Sequence, residues 1–280
     1  MSAAAPRDIY ARVFGRGARN VLALHCGLAH SGAWRGVAEH LGGEASFTAF
    51  DLLSHGKSPD WDGQGDYQDS NVDAALALLE APADLIGHSF GATVALRVAA
   101  ARPDLVRSLV LIEPVFFAVA KADGSPGYAQ METEEAGFRA AWEAGDAALA
   151  ARLFNRLWGS GEVKWPDLPE SARAGMTRSI HVIPAARPAL HDDRAGLLKP
   201  GVLDRVGLPV LLIEGAQTHP VIFGVTPGLQ RRLPDAAAVQ VEGAGHMAPI
   251  THPTEVSGLA GSFWDSRSPL EARGGGDAPA

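Results

Sequence analysis

The pentapeptide Gly87-His88-Ser89-Phe90-Gly91 constrains this chain more than any other stretch. It follows a short apolar run, Ala83-Asp84-Leu85-Ile86, and opens a helix-forming one that continues to Ala100. A strand, a G-x-S-x-G turn and a helix in succession make the sharp elbow on which a nucleophilic serine can stand. Such a turn strains its central residue and admits only small neighbours on either side. In exchange the Ser89 hydroxyl stands clear of a sheet at a helix N-terminus, where the Phe90 amide is placed to stabilise an oxyanion. The blander alternative is a Gly-rich turn with an incidental serine; the flanking strand and helix favour the catalytic reading.

Apolar runs bounded by turn residues recur at 21–24, 47–50, 85–86, 109–112, 210–213 and 238–241. Several are too continuous to alternate, as expected of strands covered on both faces. Helical patterns fall between them at about 34–42, 68–80, 90–102, 224–233 and 253–265, with Pro103 ending the third and Pro253 opening the last. This alternation predicts an α/β fold with a doubly wound, mostly parallel sheet, and residues 9–14 add a weak antiparallel edge strand. The pattern breaks over 115–206, which offers helices at 134–144, 147–158 and 169–178 but no strand. Seven Trp and Phe residues lie there, so a helical lid inserted into the sheet is expected rather than a loop. The core is therefore assigned to 8–114 and 207–266, the lid to 115–206 and a disordered tail to 267–280.

A length of 280 residues suits one such domain with its insertion. The net charge of -8 argues against a nucleic-acid partner, and no apolar stretch is long enough to span a membrane. One cysteine, Cys26, and a start without the apolar core of a secretory signal make the cytoplasm the expected compartment. The oligomeric state stays open.

A nucleophile needs a base, an orienting acid and a second oxyanion donor. The base candidate is His246, which follows the last strand on a loop whose glycines let the imidazole reach across the C-terminal edge of the sheet. With these features the chain resembles the α/β-hydrolase superfamily from about Val21 to Phe263. His25-Cys26-Gly27-Leu28 through Trp34 resembles its oxyanion loop, Asp51 to Ser58 its Asp-x-x-Gly-x-Gly-x-Ser loop, and Gly245-His246 the segment of its catalytic histidine. The resemblance implies Gly27 as the second oxyanion donor, with Leu28 as the alternative. It makes Leu28, His30, His88 and Met247 candidate substrate contacts.

Two positions depart from the family. Cys26 stands where glycine is usual; small buried packing explains it better than nucleophilic chemistry. Thr218 stands where the family carries its aspartate, and a hydroxyl cannot offset the imidazolium charge formed in acyl transfer. The replacement is Glu113, at the end of the strand 109–112, a position from which certain haloalkane dehalogenases take their acid. Glu214 is the reserve candidate, and a salt bridge at the base of the lid is the plain alternative for Glu113.

Other signals are discounted. Gly56-Lys57-Ser58 ends like a phosphate-binding loop, but Asp51 occupies the place of its first glycine. His181, His191, Asp192 and Asp193 lack the spacing of a metal site, and no metal or cofactor is expected. The reading is a serine hydrolase for a small-to-medium carboxylic ester or lactone. Rivals on the same scaffold are a carbon–carbon bond hydrolase, a cofactor-free lyase or a perhydrolase. A non-catalytic small-molecule receptor is the rival outside enzymes.

Overall fold

A computed structural model describes residues 8–267 of the chain. The expected tail falls outside these residues except for Arg267, which closes the last helix.

In chain order the elements are β1 (Ala11–Phe14), β2 (Arg19–Leu24), α1 (Arg35–Leu41), β3 (Ala45–Phe50), α2 (Tyr67–Ala77), β4 (Ala83–His88), α3 (Phe90–Ala101) and β5 (Val106–Ile112). A helical stretch follows: α4 (Phe117–Ala122), α5 (Pro126–Glu134), α6 (Ala136–Glu143), α7 (Ala147–Trp158), α8 (Glu170–Ser179) and α9 (Val182–His191). The sheet resumes with β6 (Val210–Gly215), then α10 (Ile222–Gln230), β7 (Ala236–Val241), α11 (Ala248–Thr251) and α12 (Pro253–Arg267). Seven strands form one sheet in the order β1-β3-β2-β4-β5-β6-β7. β1 pairs antiparallel with β3 at the edge, and the other pairings are parallel.

Successive residues of the central strands feed different cores. Leu22, Leu24, Leu85, Leu109, Leu111 and Leu212 pack with α2, α3 and α4. Val21, Ala23, Ile86, Val110, Ile112 and Ile213 pack with α1 and α12. With both faces covered, alternation has nothing polar to place, which is why these runs are continuous. Full burial of each such Leu or Ile contributes about 1.5–3 kcal/mol. The one carboxylate at the start of β4, Asp84, is 1% exposed and is met by Arg19 (2.8 Å), Arg107 (2.7 Å) and the Ser108 hydroxyl (2.7 Å).

Local chemistry sets the helix ends. Asp66 caps α2 by accepting the Asp69 amide, and α3 stops at Arg102 before Pro103. In the insertion, α7 occupies the expected span, opened by the Asp146 cap and closed before Gly159. The single helix expected over 134–144 is instead the end of α5 and all of α6, with Glu135 at their junction. α4 and α9 were not anticipated; α9 carries an internal Pro188, which reads as a breaker in sequence. Phe138, Ala141, Ala150, Ala151 and Ile180 give the insertion a small core of its own. Arg178 ties it to the loop after β3, donating to Asp60 Oδ1 (3.0 Å) and to the Gly56 and Ser58 carbonyls (both 3.0 Å). The Ser179 hydroxyl adds a bond to the Ser54 carbonyl (2.7 Å). Among the described residues no helix is long and apolar enough to cross a membrane.

Candidate active site

Ser89 sits between β4 and α3 with φ 55° and ψ -117°, a strained conformation held by its amide donating to the Ile112 carbonyl (2.9 Å). The two glycines of the pentapeptide are required by crowding rather than by their own dihedrals. A Cβ on Gly91 would lie 2.3 Å from the Leu24 carbonyl oxygen, and one on Gly87 2.6 Å from Ala92 Cα. The Phe90 amide belongs to the first turn of α3, where N–H groups have no intrahelical acceptor.

His246, on the loop after β7, places Nε2 3.0 Å from Ser89 Oγ and Nδ1 2.9 Å from Glu113 Oε2. Since a carboxylate only accepts, Nδ1 carries the proton and the Nε2 lone pair faces the serine. Glu113 follows β5 with φ 51° and is fully buried. Its charge is met by donors: the Gly215 amide on Oε1 (2.6 Å), and the Thr218 hydroxyl and His246 on Oε2. Thr218, at the position where the family carries its aspartate, thus donates to the Glu113 carboxylate. Glu214 faces elsewhere; its Oε1 accepts from Gln240 (2.8 Å). His88, a candidate substrate contact, is corrected by its position: it is 1% exposed, absent from the cavity wall, and donates from Nε2 to the His246 carbonyl (2.7 Å).

The loop that resembles the family's oxyanion loop rests on two buried imidazoles. His25 Nδ1 donates to the Cys26 carbonyl (2.7 Å) and Nε2 accepts the Leu52 amide (2.9 Å). His55 Nδ1 donates to the Leu53 carbonyl (2.9 Å), and Nε2 accepts the Leu28 amide (3.0 Å). Burial pushes His25 down to about 3 and His55 to about 4, so both stay neutral with fixed tautomers. The Leu28 amide is therefore committed, which leaves Gly27 as the loop's candidate donor. Burial pushes the Cys26 thiol up to about 12, far from a reactive thiolate.

Ser89 and His246 open on a cavity of about 600 Å³ beneath the helical insertion. Phe117, Phe138, Phe154, Trp158, Met176 and Ile183 make much of its wall apolar, and Gly27, Leu28, His30 and Met247 line its floor.

A family model described as "Alpha/beta hydrolase family" matches residues 21–259. The chain belongs to the alpha/beta hydrolase family. Among relatives of this hydrolase, Lipase LipV of Mycobacterium tuberculosis is 31% identical over 90% of the chain and 96% of its own length. A pimeloyl-(acyl-carrier protein) methyl ester esterase of Methylococcus capsulatus is 28% identical over 91% of the chain and 98% of its own length. In fold, the hydrolase superposes on a putative epoxide hydrolase from Pseudomonas aeruginosa with a TM-score of 0.72, at 20% identity and 92% coverage of each chain.

Several site residues of this alpha/beta hydrolase escaped the sequence reading. Trp158 packs edge-on against the His246 ring (centroids 4.9 Å apart) and donates from Nε1 to Glu135 Oε1 (3.2 Å). Its place at the end of an amphipathic helix was visible, its target was not. Of the residues discounted as metal ligands, His181 bonds Ser54, Asp192 pairs with Lys121, and Asp193 accepts the Leu197 and Leu198 amides. Only His191 joins a cluster, with Glu132 and Glu135. Arg231 and Arg232, just past the end of α10, both grip Asp123.

Proposed function

We propose that this alpha/beta hydrolase cleaves small-to-medium carboxylic esters or lactones through an acyl-enzyme on Ser89. The hydrogen-bonded series Ser89, His246, Glu113, opening on an apolar cavity, carries the reading. Ser89 Oγ attacks the acyl carbonyl as His246 Nε2 takes its proton, which then passes to the leaving alkoxide. Glu113 holds the imidazole in its working tautomer and offsets the charge it acquires. The amides of Phe90 and Gly27 stabilise the oxyanion, each lowering the barrier by about 3 kcal/mol. Water activated by the same imidazole then releases the acid. The helical insertion acts as a lid whose aromatic lining receives the substrate's apolar portion. The relatives named as a lipase and as methyl ester esterases support ester cleavage, which lies within the same chemistry.

The test pairs a fluorophosphonate probe with p-nitrophenyl esters. The wild type should be labelled at Ser89, and Ser89→Ala should lose roughly 10⁶-fold in kcat with its melting temperature kept. A folded Ser89→Ala that still turns over esters overturns the proposal. Cleavage of β-diketones in preference to every ester assigns carbon–carbon hydrolysis instead, and an unlabelled serine without turnover assigns a receptor.

A further inference from the structure

Beyond Trp158 the cavity wall changes character. Glu135, from the α5–α6 junction, Arg139 from α6, and Arg187 and His191 from α9 line it there. Glu132, Glu135 and His191 each bring a ligating atom within 4.8 Å of the others. Arg187 grips both oxygens of Glu132 (3.0 and 2.8 Å), and Arg139 Nη1 lies 3.8 Å from Glu135 Oε2. Two carboxylates thus face two guanidiniums, and Arg187 already holds the oxygens that a divalent cation would need.

One polar group is left over in this balanced wall. The His191 side chain is 6% exposed; its Nδ1 lies against Tyr128 Oη (3.2 Å) and Glu132 Oε1 (3.4 Å). Its Nε2 has no hydrogen-bond partner among the described residues. Burial pushes His191 down to about 4, so the ring is neutral and, with its proton on Nδ1, Nε2 is an acceptor. Arg139 Nη1 is closed off from the cavity behind this wall and faces Glu135 Oε2 without a hydrogen bond.

We infer that this wall is a subsite for a neutral hydroxyl carried on the apolar arm of the ester substrate. The substrate O–H donates to His191 Nε2, and its oxygen lies beside the Arg187 guanidinium on the same wall. A methyl terminus leaves the His191 acceptor unsatisfied in a desolvated site, and a carboxylate or ammonium upsets the charge balance. Trp158 sets the path, since its indole packs against the His246 ring and its Nε1 reaches Glu135. The arm runs along the indole from the reacting carbonyl to the hydroxyl. The inference rests on the ester-hydrolase reading above.

The experiment uses p-nitrophenyl esters of increasing acyl length in matched sets ending in methyl, hydroxyl, carboxylate or ammonium. At one length the hydroxyl ester should exceed its methyl counterpart in kcat/KM by about tenfold, mainly through KM. His191→Phe should bring that ratio towards one, while His191→Gln, which keeps an acceptor, should retain part of it. Calorimetric binding of diols against alkanols of equal length reads the same subsite without turnover. If no ester is hydrolysed but diols bind more tightly than alkanols, the ester reading fails and the subsite stands. No advantage for the hydroxyl at any length in either assay, or a preference for a charged terminus, overturns the subsite.

Discussion

Glu113 shows what a buried carboxylate needs to reach His246 from the end of β5. The backbone turns left-handed at this residue, the side chain is fully enclosed, and Gly215, Thr218 and His246 all donate to it. A buried charge so satisfied cannot be replaced by an amide without reversing the polarity of one contact. Glu113→Gln should therefore lower kcat by about 10⁴-fold with the melting temperature little changed, because the Nδ1 proton loses its acceptor. Glu214→Gln should leave kcat within a few-fold, since Gln240 rather than His246 bonds that residue. Steady-state kinetics on the two variants decides, and a reversal of their effects refutes the assignment. Ser89 and His246 were legible because local patterns flag them, an elbow and a glycine loop after the last strand. Glu113 was suggested by the resemblance to family members that take their acid from the end of that strand, once Thr218 stood in the acid's usual place. Trp158, Glu135 and His191 were not, since their roles arise where separate helices meet and nothing within each segment records the partner.

Among the elements, the strands were readable because a sheet covered on both faces leaves a continuous apolar imprint. The insertion left a weaker one. Its α5–α6 break occurs at Glu135, whose backbone stays near helical values (φ -76°, ψ -8°), so no glycine or proline announces it. Pro188 announces a break in α9 that does not happen. Besides apolar packing of α4 and α9 on the main core, this segment is tied over the site by polar contacts, with Arg178 bonding Asp60 and two carbonyls and Ser179 bonding a third. The Asp60 carboxylate is exposed, so its ion pair adds less than about 1 kcal/mol; the carbonyl bonds fix position more than they stabilise. Arg178→Ala should accordingly raise KM for long-chain esters about three- to tenfold while kcat and the melting temperature change little. Unchanged KM across the ester series contradicts a lid role for this contact.

At the scale of the whole molecule, the buried imidazoles link the site's order to its acid sensitivity. Burial holds His25 and His88 near 3 and His55 and His191 near 4, against an ordinary value of 6.5. Each has a structural post by the site: His25 and His55 support the Cys26–Leu28 loop, His88 bonds the His246 carbonyl, and His191 lines the cavity. In the unfolded chain all four take protons as pH falls through 6.5, whereas in the native state they do not. The unfolded state then binds more protons, so their contribution to stability is complete above 6.5 and is lost as pH falls towards 4. With four such groups the slope approaches roughly 5 kcal/mol per pH unit, and the loss between pH 7 and 5 reaches about 7 kcal/mol. Glu135 works in the opposite sense, since burial raises it and its contribution is lost as pH rises, but it is one group against four. A loss of this size is comparable to the whole stability of many domains. The melting temperature should hence be highest at pH 7 or above and fall by on the order of 15 °C by pH 5. Thermal melts followed by circular dichroism at half-unit steps test this, and a melting temperature flat from pH 7 to 5 means that the rings are solvated or already charged in the native state.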